Sequence, residues 1–278
     1  MNTFSSYRNL NNALRNRKGS LGLVPTMGSL HTGHLSLVEK AVKENSNVII
    51  SIFVNPTQFD SKSDLKNYPQ NLKNDLKQLQ KFNNVFVYVP DIQDLYPKNT
   101  ISKKYNFGRL DKIMEGESRV NHFNGVATIV EKLFKIFKPN FAYFGEKDFQ
   151  QLLIIKSLLK QKSLKVKIIS CPTVRENDGL AMSSRNKLLN KKERKTATVL
   201  YRTLLEAKRL MNSSKPPEIE KTISTKFSNI KDIDLLYFKI LTDGSFSDLK
   251  NLKSKENVRA FIACNIGNVR LIDNMILE

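Results

Sequence analysis

The sequence predicts an α/β protein in two parts: a parallel sheet wrapped by helices, followed by a smaller α+β domain with antiparallel strands. Three observations carry this prediction. Short β-like runs alternate with helical patterns as far as Pro172, two helical stretches follow from Asn190, and the last strand-like runs succeed one another with no helix between them.

The alternation starts with the apolar run 21–25 and a helical stretch over about 34–45. VIISIFV then begins at Val48, and its β-branched and aromatic content suits a buried strand. Residues 72–82 have helical spacing and lead into VFVYV at 85–89. After His122, apolar residues at Val126, Ile129, Val130, Leu133 and Phe137 follow the i, i+3, i+4, i+7, i+11 pattern of one helix face. A strand over 141–144, a helix over about 148–159 and a strand over 166–169 close the region. Parallel neighbours need a crossover, and the intervening helices supply it. Beyond Asn190 the two helical stretches are separated by SSKPPE at 213–218, whose prolines suit a helix start. Strand-like runs at 233–241, 258–264 and 269–272 then favour an antiparallel sheet. The boundary divides residues 1–173 from residues 174–278.

Hydrophobic residues make up 40% and charged residues 26% of the chain, with 11 Gly and 9 Pro, which excludes a disordered or fibrous protein. The first twenty residues contain no continuous apolar segment, and the run 48–54 is far too short to cross a bilayer, so a cytoplasmic protein without membrane partners is expected. Cys171 and Cys264 lack CxxC spacing and read as buried small hydrophobes in a reducing compartment. A formal net charge of +20 is the footprint of a nucleic-acid binder. Lysine is nevertheless scattered over nearly every amphipathic stretch, with no single basic helix or RNA-recognition run, so the charge reads as a solvated surface that draws in small anions and no nucleic-acid partner is expected.

Four segments carry chemistry. PTMGSLHTGH, 25–34, lies where a predicted strand runs into a predicted helix. Gly28 and Gly33 permit close backbone approach, the helix start offers N–H groups to a phosphate, and His31 and His34 are spaced to face an anion together. A zinc site is a poorer reading, because the chain has three His, no HExxH and no cysteine near this pair. NPTQF, 55–59, leaves the second strand at the carboxyl end of the sheet, where Gln58 can donate and accept hydrogen bonds to a hydroxy acid; taken alone, it reads better as an ordinary turn with a polar residue. FGEKDFQQ, 144–151, again puts polar groups at a strand end: Lys147 is a point charge suited to phosphates, Asp148 suits a ribose or a helix start, and Gln151 lies inside the helix. TVRENDGLAMSSRN, 173–186, offers an arginine and two hydroxyls that can stabilise charge on a leaving pyrophosphate.

The first segment resembles the HxGH signature of adenylyl-transferring nucleotidyltransferases, and Met182, Ser183, Ser184 and Arg185 resemble the KMSKS-like second signature of that superfamily. With SRVNHFNGVATIVEKLF at 118–134, the segments come in the order and approximate spacing of the pantothenate synthetase family, and the resemblance extends from about Leu21 to LIDN at 271–274. It implies a Rossmann-like nucleotidyltransferase domain that binds ATP and pantoate, and a C-terminal lid domain. The implied reaction is ATP-dependent condensation of (R)-pantoate with beta-alanine to pantothenate. Pantoate attacks the α-phosphorus to give pantoyl adenylate and pyrophosphate, and the amine of beta-alanine then displaces AMP. Such a site works by positioning and charge stabilisation, with no protein nucleophile.

Carried onto this chain, the resemblance assigns Met27, Gly28, Ser29, Leu30, His31, Thr32, Gly33 and His34 to ATP, with His34 as proton donor and His31 its partner at the phosphates. Gly145, Glu146, Lys147 and Asp148 also bind ATP, Lys147 stabilising the transferring phosphoryl group, while Val174 and Met182, Ser183, Ser184 and Arg185 complete the nucleotide site. Gln58 and Gln151 bracket pantoate, Gln58 also bordering the entry of beta-alanine; Arg119 and His122 match polar positions lining the same cavity. ATP enters as a substrate with Mg2+, for which no protein ligand is assigned; Asp75 matches a position that can approach the ion. A homodimer is implied as well. The chain departs from the family where Val120 and Asn121 replace the common Pro and Gly, and where Gln70 replaces a common Arg. Two rival readings differ in what they require. An adenylyltransferase acting on a phosphate ester would need Arg or Lys in place of Gln58 and Gln151, and a nucleic-acid binder would be indifferent to the loss of His34.

Overall fold

The computed structural model describes residues 2–244, 246 and 257–278. The chain divides into two compact units, Met1–Glu146 with Gln150–Pro172, and Lys147–Phe149 with Thr173–Glu278.

In chain order up to Cys171 the elements are β1 (Asn2–Phe4), α1 (Tyr7–Leu14), β2 (Leu21–Thr26), α2 (Thr32–Glu44), β3 (Asn47–Ile52), α3 (Lys62–Asn67), α4 (Leu72–Leu79), β4 (Val85–Tyr88), α5 (Ile92–Leu95), α6 (Glu115–Ser118), α7 (His122–Phe137), β5 (Phe141–Gly145), α8 (Phe149–Lys162) and β6 (Lys167–Cys171). The strands form one parallel sheet in the order β1-β4-β3-β2-β5-β6. Chain order therefore runs outward from β2 through β3 to β4, then returns to the other side of β2 with β5. That reversal makes the carboxyl ends of β2 and β5 the switch point at which open α/β sheets bind ligands.

Burial explains why these segments fold as they do. Val48, Ile49 and Ile50 of β3 are fully buried, as a strand covered on both faces requires. On α2, Leu37, Val38 and Ala41 recur at helical spacing and pack with Val24, Val48, Ile50 and Val87. The sequence reading missed β1 and α1. β1 is three residues, NTF, with nothing apolar before Phe4, and it exists through pairing with β4, Asn2 opposite Phe86.

α7 runs its apolar face through the core and ends at Lys138, which adopts the left-handed conformation. It also buries Glu131, whose side chain is 2% exposed and accepts from Lys135 Nζ (2.6 Å), Tyr105 Oη (2.6 Å) and Lys103 Nζ (2.9 Å). Together with the bond from Lys103 N to Thr128 Oγ1, these contacts strap the segment around 103–105 onto the helix. Burial alone would raise the Glu131 pKa, but the hydrogen bonds from Lys135, Tyr105 and Lys103 outweigh it and hold the carboxyl at about 2.

The second unit contains α9 (Lys191–Thr196), α10 (Val199–Leu210), α11 (Pro216–Ser228), β7 (Ile233–Thr242), β8 (Val258–Ile266) and β9 (Val269–Ile276). The strands pair antiparallel in the order β7-β8-β9. Central β8 contributes the fully buried Ala260, Ile262, Cys264 and Ile266 to a core with Leu200, Leu204, Ile219 and Ile223 of the helices. The first of the two helical stretches read from the sequence is in fact two helices. A capping box between Asn190 and Glu193 starts α9, and Thr198 Oγ1 turns back onto the carbonyl of Lys195 (2.9 Å) where α9 gives way to α10. Pro216 and Pro217 open α11, as their spacing predicts.

Glu131 sets a pH-dependent contribution to stability. Its folded pKa lies below the unfolded value, so its contribution is full above about pH 4.5 and is lost as pH falls toward 2. Glu131→Gln is expected to destabilise the protein by about 2 kcal/mol at pH 7, with the difference from wild type shrinking as the pH is lowered through that window. Denaturant unfolding of both proteins across the range checks it.

Candidate active site

The loop leaving β2 is fixed residue by residue. Thr26 Oγ1 donates to the carbonyl of Ser51 (2.8 Å) and accepts from the N–H of Gly28 (3.2 Å), which turns the chain at the strand end. Gly28 has φ +77°, and a Cβ there would meet Ile52 Cγ2 at 3.0 Å and Asp75 Oδ2 at 3.1 Å, so both conformation and space call for glycine. Ser29 follows in the left-handed region at φ +50°. Asp75, 1% exposed in the first turn of α4, holds it there: Oδ2 accepts from Ser29 N (2.8 Å) and Oδ1 from Leu30 N (2.7 Å). Gln78 Nε2 adds a bond to the carbonyl of Leu30 (3.2 Å). The sequence matched Asp75 to a position that can approach the ion without assigning it; in the fold each of its oxygens accepts a backbone N–H of the motif.

His31 is the N-cap of α2, and Thr32, Gly33 and His34 form its first turn. The rings of His31 and His34 lie with centroids 4.0 Å apart, tilted by 36°. First-turn amides have no acceptor inside their own helix and carry the positive end of its dipole. Two imidazoles at that end, at the carboxyl edge of β2, make an anion site of the kind a phosphate occupies.

Beside it, the turn Pro56–Gln58 follows β3. Gln58 is 8% and Asn55 1% exposed. Asn55 Nδ2 donates to Gln58 Oε1 (3.1 Å) and to the carbonyl of Gly125 (3.2 Å), while Gln58 Nε2 donates to Met27 Sδ (2.9 Å). Gln58 and Met27 are thus brought together. Arg119 and His122 both reach the backbone carbonyl of Gln58, Arg119 through Nη2 (3.4 Å) and His122 through Nδ1 (2.7 Å). A carbonyl only accepts, so Nδ1 carries the proton; Arg119 Nη1, 3.2 Å from Nε2, then donates to it, and the imidazole is the neutral Nδ1–H tautomer. Arg119 Nε is held by Asp60 Oδ2 (2.8 Å). Gly125 lets α7 press directly on this turn, because a Cβ there would lie 2.2 Å from the carbonyl oxygen of Thr57. Asn121, where the family commonly has Gly, sits at φ +64°, a conformation asparagine tolerates; Val120 and Gln70 are exposed. Asn121 therefore keeps a left-handed entry to α7 without glycine.

At the end of β5, Glu146 Oε1 accepts from Ser170 Oγ of β6 (2.7 Å), which fixes the strand end after Gly145. Of the paired glutamines, Gln150 is 5% exposed and holds the carbonyls of Leu110 and Ile113 (both 2.8 Å), whereas Gln151 is half-buried in the first turn of α8.

The second unit organises its own segments. Lys147 Nζ lies 3.4 Å from Asp148 Oδ1, and the Lys147 carbonyl accepts from Asn274 Nδ2 (2.9 Å). Asn274 Oδ1 accepts in turn from Arg259 (2.5 Å), whose guanidinium lies 3.8 Å from the centre of the Phe149 ring. The neighbouring Asp273, fully buried at the side chain, receives Arg175 through two bonds of 2.6 and 3.0 Å and the N–H of Asn274 at 2.8 Å. Burial pushes the Asp273 carboxyl up, against the downward pull of Arg175. Met182 N donates to the carbonyl of Val174 (3.0 Å), and Arg175 bridges Ala181, so Val174 and Met182 are brought together across a turn. Gly179 closes that turn at φ +89° against Tyr201, and Arg194 ties it down through Glu176 (2.5 Å) and Asp178 (2.7 Å). Asn186 Nδ2 reaches Glu176 Oε1 (2.8 Å), Ser183 Oγ accepts from Arg185 N (3.3 Å), and Ser184 is 5% exposed. Asp75, Asn55, Arg175, Asp273 and Asn274 were not singled out as supports by the sequence reading; the LIDN stretch was the one local signal for the last two.

Comparison with known proteins gives a consistent result. A family model described as pantoate-beta-alanine ligase matches residues 1–276. The chain is 43% identical over 260 residues to the pantothenate synthetase of Flavobacterium psychrophilum, covering 93% of this chain and 92% of that one. Among solved structures, the pantothenate synthetase of Thermus thermophilus matches with a TM-score of 0.92 at 37% identity, covering 100% of this chain and 99% of that one. The pantoate-beta-alanine ligase of Francisella tularensis, solved in complex with beta-gamma ATP and beta-alanine, matches with a TM-score of 0.83 at 36% identity, covering 100% and 98%.

Asp75→Asn tests the clamp on the first loop. An amide keeps one acceptor and turns a donor toward the other backbone N–H, at a cost of about 1–3 kcal/mol. The expected result is a lowered midpoint in thermal unfolding, together with weakened ATP binding by titration calorimetry. Unchanged values in both would remove the clamp from the account.

Proposed function

The chain belongs to the pantoate-beta-alanine ligase family and uses ATP to join pantoate to beta-alanine, and on that premise we propose that the reaction passes through a pantoyl adenylate. A carboxylate is a poor acyl electrophile, and transfer to AMP gives it a good leaving group. In the first step a carboxylate oxygen of pantoate bonds to the α-phosphorus and the bond to pyrophosphate breaks. In the second, the amine of beta-alanine bonds to the acyl carbon, the bond to AMP breaks, and the amine gives up a proton.

The observation that carries this reading is the His31 and His34 pair, 4.0 Å apart at the N-terminus of α2. Imidazole N–H groups and first-turn amides together match the charge that builds on phosphate oxygens as pyrophosphate leaves. In this proposal Met27, Gly28, Ser29, Leu30, Thr32 and Gly33 shape the ATP site around them, His34 donates a proton and His31 assists it. Gly145, Glu146, Lys147 and Asp148 bind ATP, with Lys147 on the transferring phosphoryl group, and Val174, Met182, Ser183, Ser184 and Arg185 complete the nucleotide contacts. Gln58 and Gln151 hold pantoate through neutral hydrogen bonds. The Francisella relative, solved with beta-gamma ATP and beta-alanine, supports placing both ligands in this reaction.

Mg2+ belongs to the proposal as part of the substrate. Among the described residues no group of three or more His, Cys, Asp or Glu gathers in a way that could hold a metal ion, and the Asp75 carboxylate accepts two backbone N–H bonds. The ion would arrive chelated by the triphosphate and keep several waters. A cytoplasmic homodimer is the assembly the family resemblance favours. Its two cysteines are free thiols, which suits a reducing compartment, and no helix of the described residues is long and apolar enough to cross a membrane.

The direct test is AMP release from ATP and magnesium with pantoate and beta-alanine each present or omitted, the product identified by mass spectrometry. AMP and pantothenate should form when both acids are present, and isotope exchange between pyrophosphate and ATP should require pantoate alone. Absence of that exchange in an active enzyme would exclude the adenylate. Lys147→Ala is expected to lower kcat by about 10²–10³-fold through lost transition-state stabilisation, with thermal unfolding unchanged. Near-normal turnover would take Lys147 out of the mechanism.

A further inference from the structure

Tyr96 follows α5 and is 4% exposed, its ring stacked on Phe53 with centroids 6.3 Å apart. Its hydroxyl lies 2.8 Å from Asn55 Oδ1 and 3.3 Å from Thr57 Oγ1. Burial pushes the Tyr96 pKa up, so the phenol keeps its proton at neutral pH. An amide oxygen only accepts; Tyr96 is therefore the donor to Asn55, as is Thr57 Oγ1 at 3.1 Å.

The direction of every bond in the chain that follows is now fixed. Two hydroxyl donors hold Asn55 Oδ1, so Nδ2 points the other way. There it meets two acceptors, the carbonyl of Gly125 and Gln58 Oε1. Once Oε1 of Gln58 is committed to Asn55, its Nε2 is the end directed at Met27. Behind Tyr96, Lys132 Nζ sits 4.0 Å from the ring centre and donates to the carbonyl of Leu95, which locks the ring in place.

We infer that Tyr96 is a positioning residue for the hydroxy-acid substrate: acting through Asn55, its hydroxyl sets Gln58 to present an amide N–H donor, and so selects a ligand offering an oxygen acceptor. The inference rests on the proposal that Gln58 contacts pantoate. Reversal of the Gln58 amide would turn an oxygen toward the same ligand oxygen and replace attraction by repulsion. Tyr96 hydrogen-bonds neither Gln58 nor any proposed ATP residue directly, and its influence on the hydroxy acid runs through Asn55.

Tyr96→Phe keeps the ring, its stacking and the cation above it, and removes only the donor. The expected result is a rise of about fivefold in the KM for pantoate, the fold-change that corresponds to one hydrogen bond of about 1 kcal/mol. The KM for ATP and the unfolding midpoint should stay at wild-type values. Thr57→Val removes the second donor on Asn55 Oδ1 and should shift the pantoate KM in the same direction; it carries the test if Tyr96→Phe does not fold. In a Gln58→Ala background, Tyr96→Phe should have no further effect on the pantoate KM. An equal effect with and without Gln58, or parallel rises in the KM for pantoate and ATP, overturns the inference. If Gln58→Ala by itself leaves the pantoate KM unchanged, the substrate role of Gln58 fails and the inference falls with it. If that variant raises the KM and neither Tyr96→Phe nor Thr57→Val does, the role of Gln58 stands and that of Tyr96 alone is lost.

Discussion

A buried carboxylate is costly unless its lone pairs are engaged, and Asp75 turns one oxygen to the backbone N–H of Ser29 and the other to that of Leu30. Its position in the first turn of α4 adds the favourable end of that helix dipole. The same two bonds hold Ser29 in a left-handed conformation that a serine adopts at some cost. Loop and helix are therefore mutually dependent: release of the loop strands the charge, and loss of the charge leaves two buried amides unpaired. The paired rings of His31 and His34 begin immediately after this clamp, so their placement inherits its rigidity. No covalent or metal constraint is needed to bring two histidines to one helix end.

Elsewhere the frame uses the same principle with other partners. The Gln58 carbonyl is held by His122 and Arg119, and the Lys147 carbonyl by Asn274. In each case a side chain remote in sequence grips the backbone of a residue proposed to contact a substrate. A backbone grip is insensitive to the identity of the gripped residue, which explains how a turn as short as Pro56–Gln58 can be both precise in position and polar in content. It also explains the pressure for small residues at the contacts. Gly125 admits a backbone where a methyl group would collide, and Asn121 retains the left-handed entry to α7 without glycine.

The sheet was legible in the sequence because its strands are short apolar runs between helical patterns, and this depends only on neighbours along the chain. β9 illustrates the limit: the reading ended it at Ile272, where Asp273 and Asn274 look like a turn, whereas the strand runs on to Ile276. Asp273 is tolerated inside because Arg175, 98 positions away, pairs with it. β1, the clamp made by Asp75 and the contacts of Tyr96 were missed for the same reason. Asn2–Phe4 is a strand only beside β4, and the partners of Asp75 and Tyr96 lie 45 or 46 and 41 residues distant. The side chains proposed for the site were read from spacing and chemistry at strand ends. Their supports carry no such signature, since a buried aspartate and an exposed one are written with the same letter.

In a chain with 46 Lys and Arg, the places where cations are committed elsewhere are informative. Beside the Gln58 turn two cations are occupied by protein: Arg119 by Asp60 and the Gln58 carbonyl, and Lys132 by the Tyr96 ring and the Leu95 carbonyl. The turn itself offers an asparagine, a threonine and a glutamine, with Tyr96 bonded behind them, all neutral. A phosphate ester would have to surrender much of its hydration for neutral donors alone, a poor exchange for a dianion. A hydroxy acid carries less charge and pairs well with an oriented amide. The neutrality of this turn, set within a strongly basic protein, thus argues for pantoate as the bound acid and against a phosphorylated acceptor at the same position.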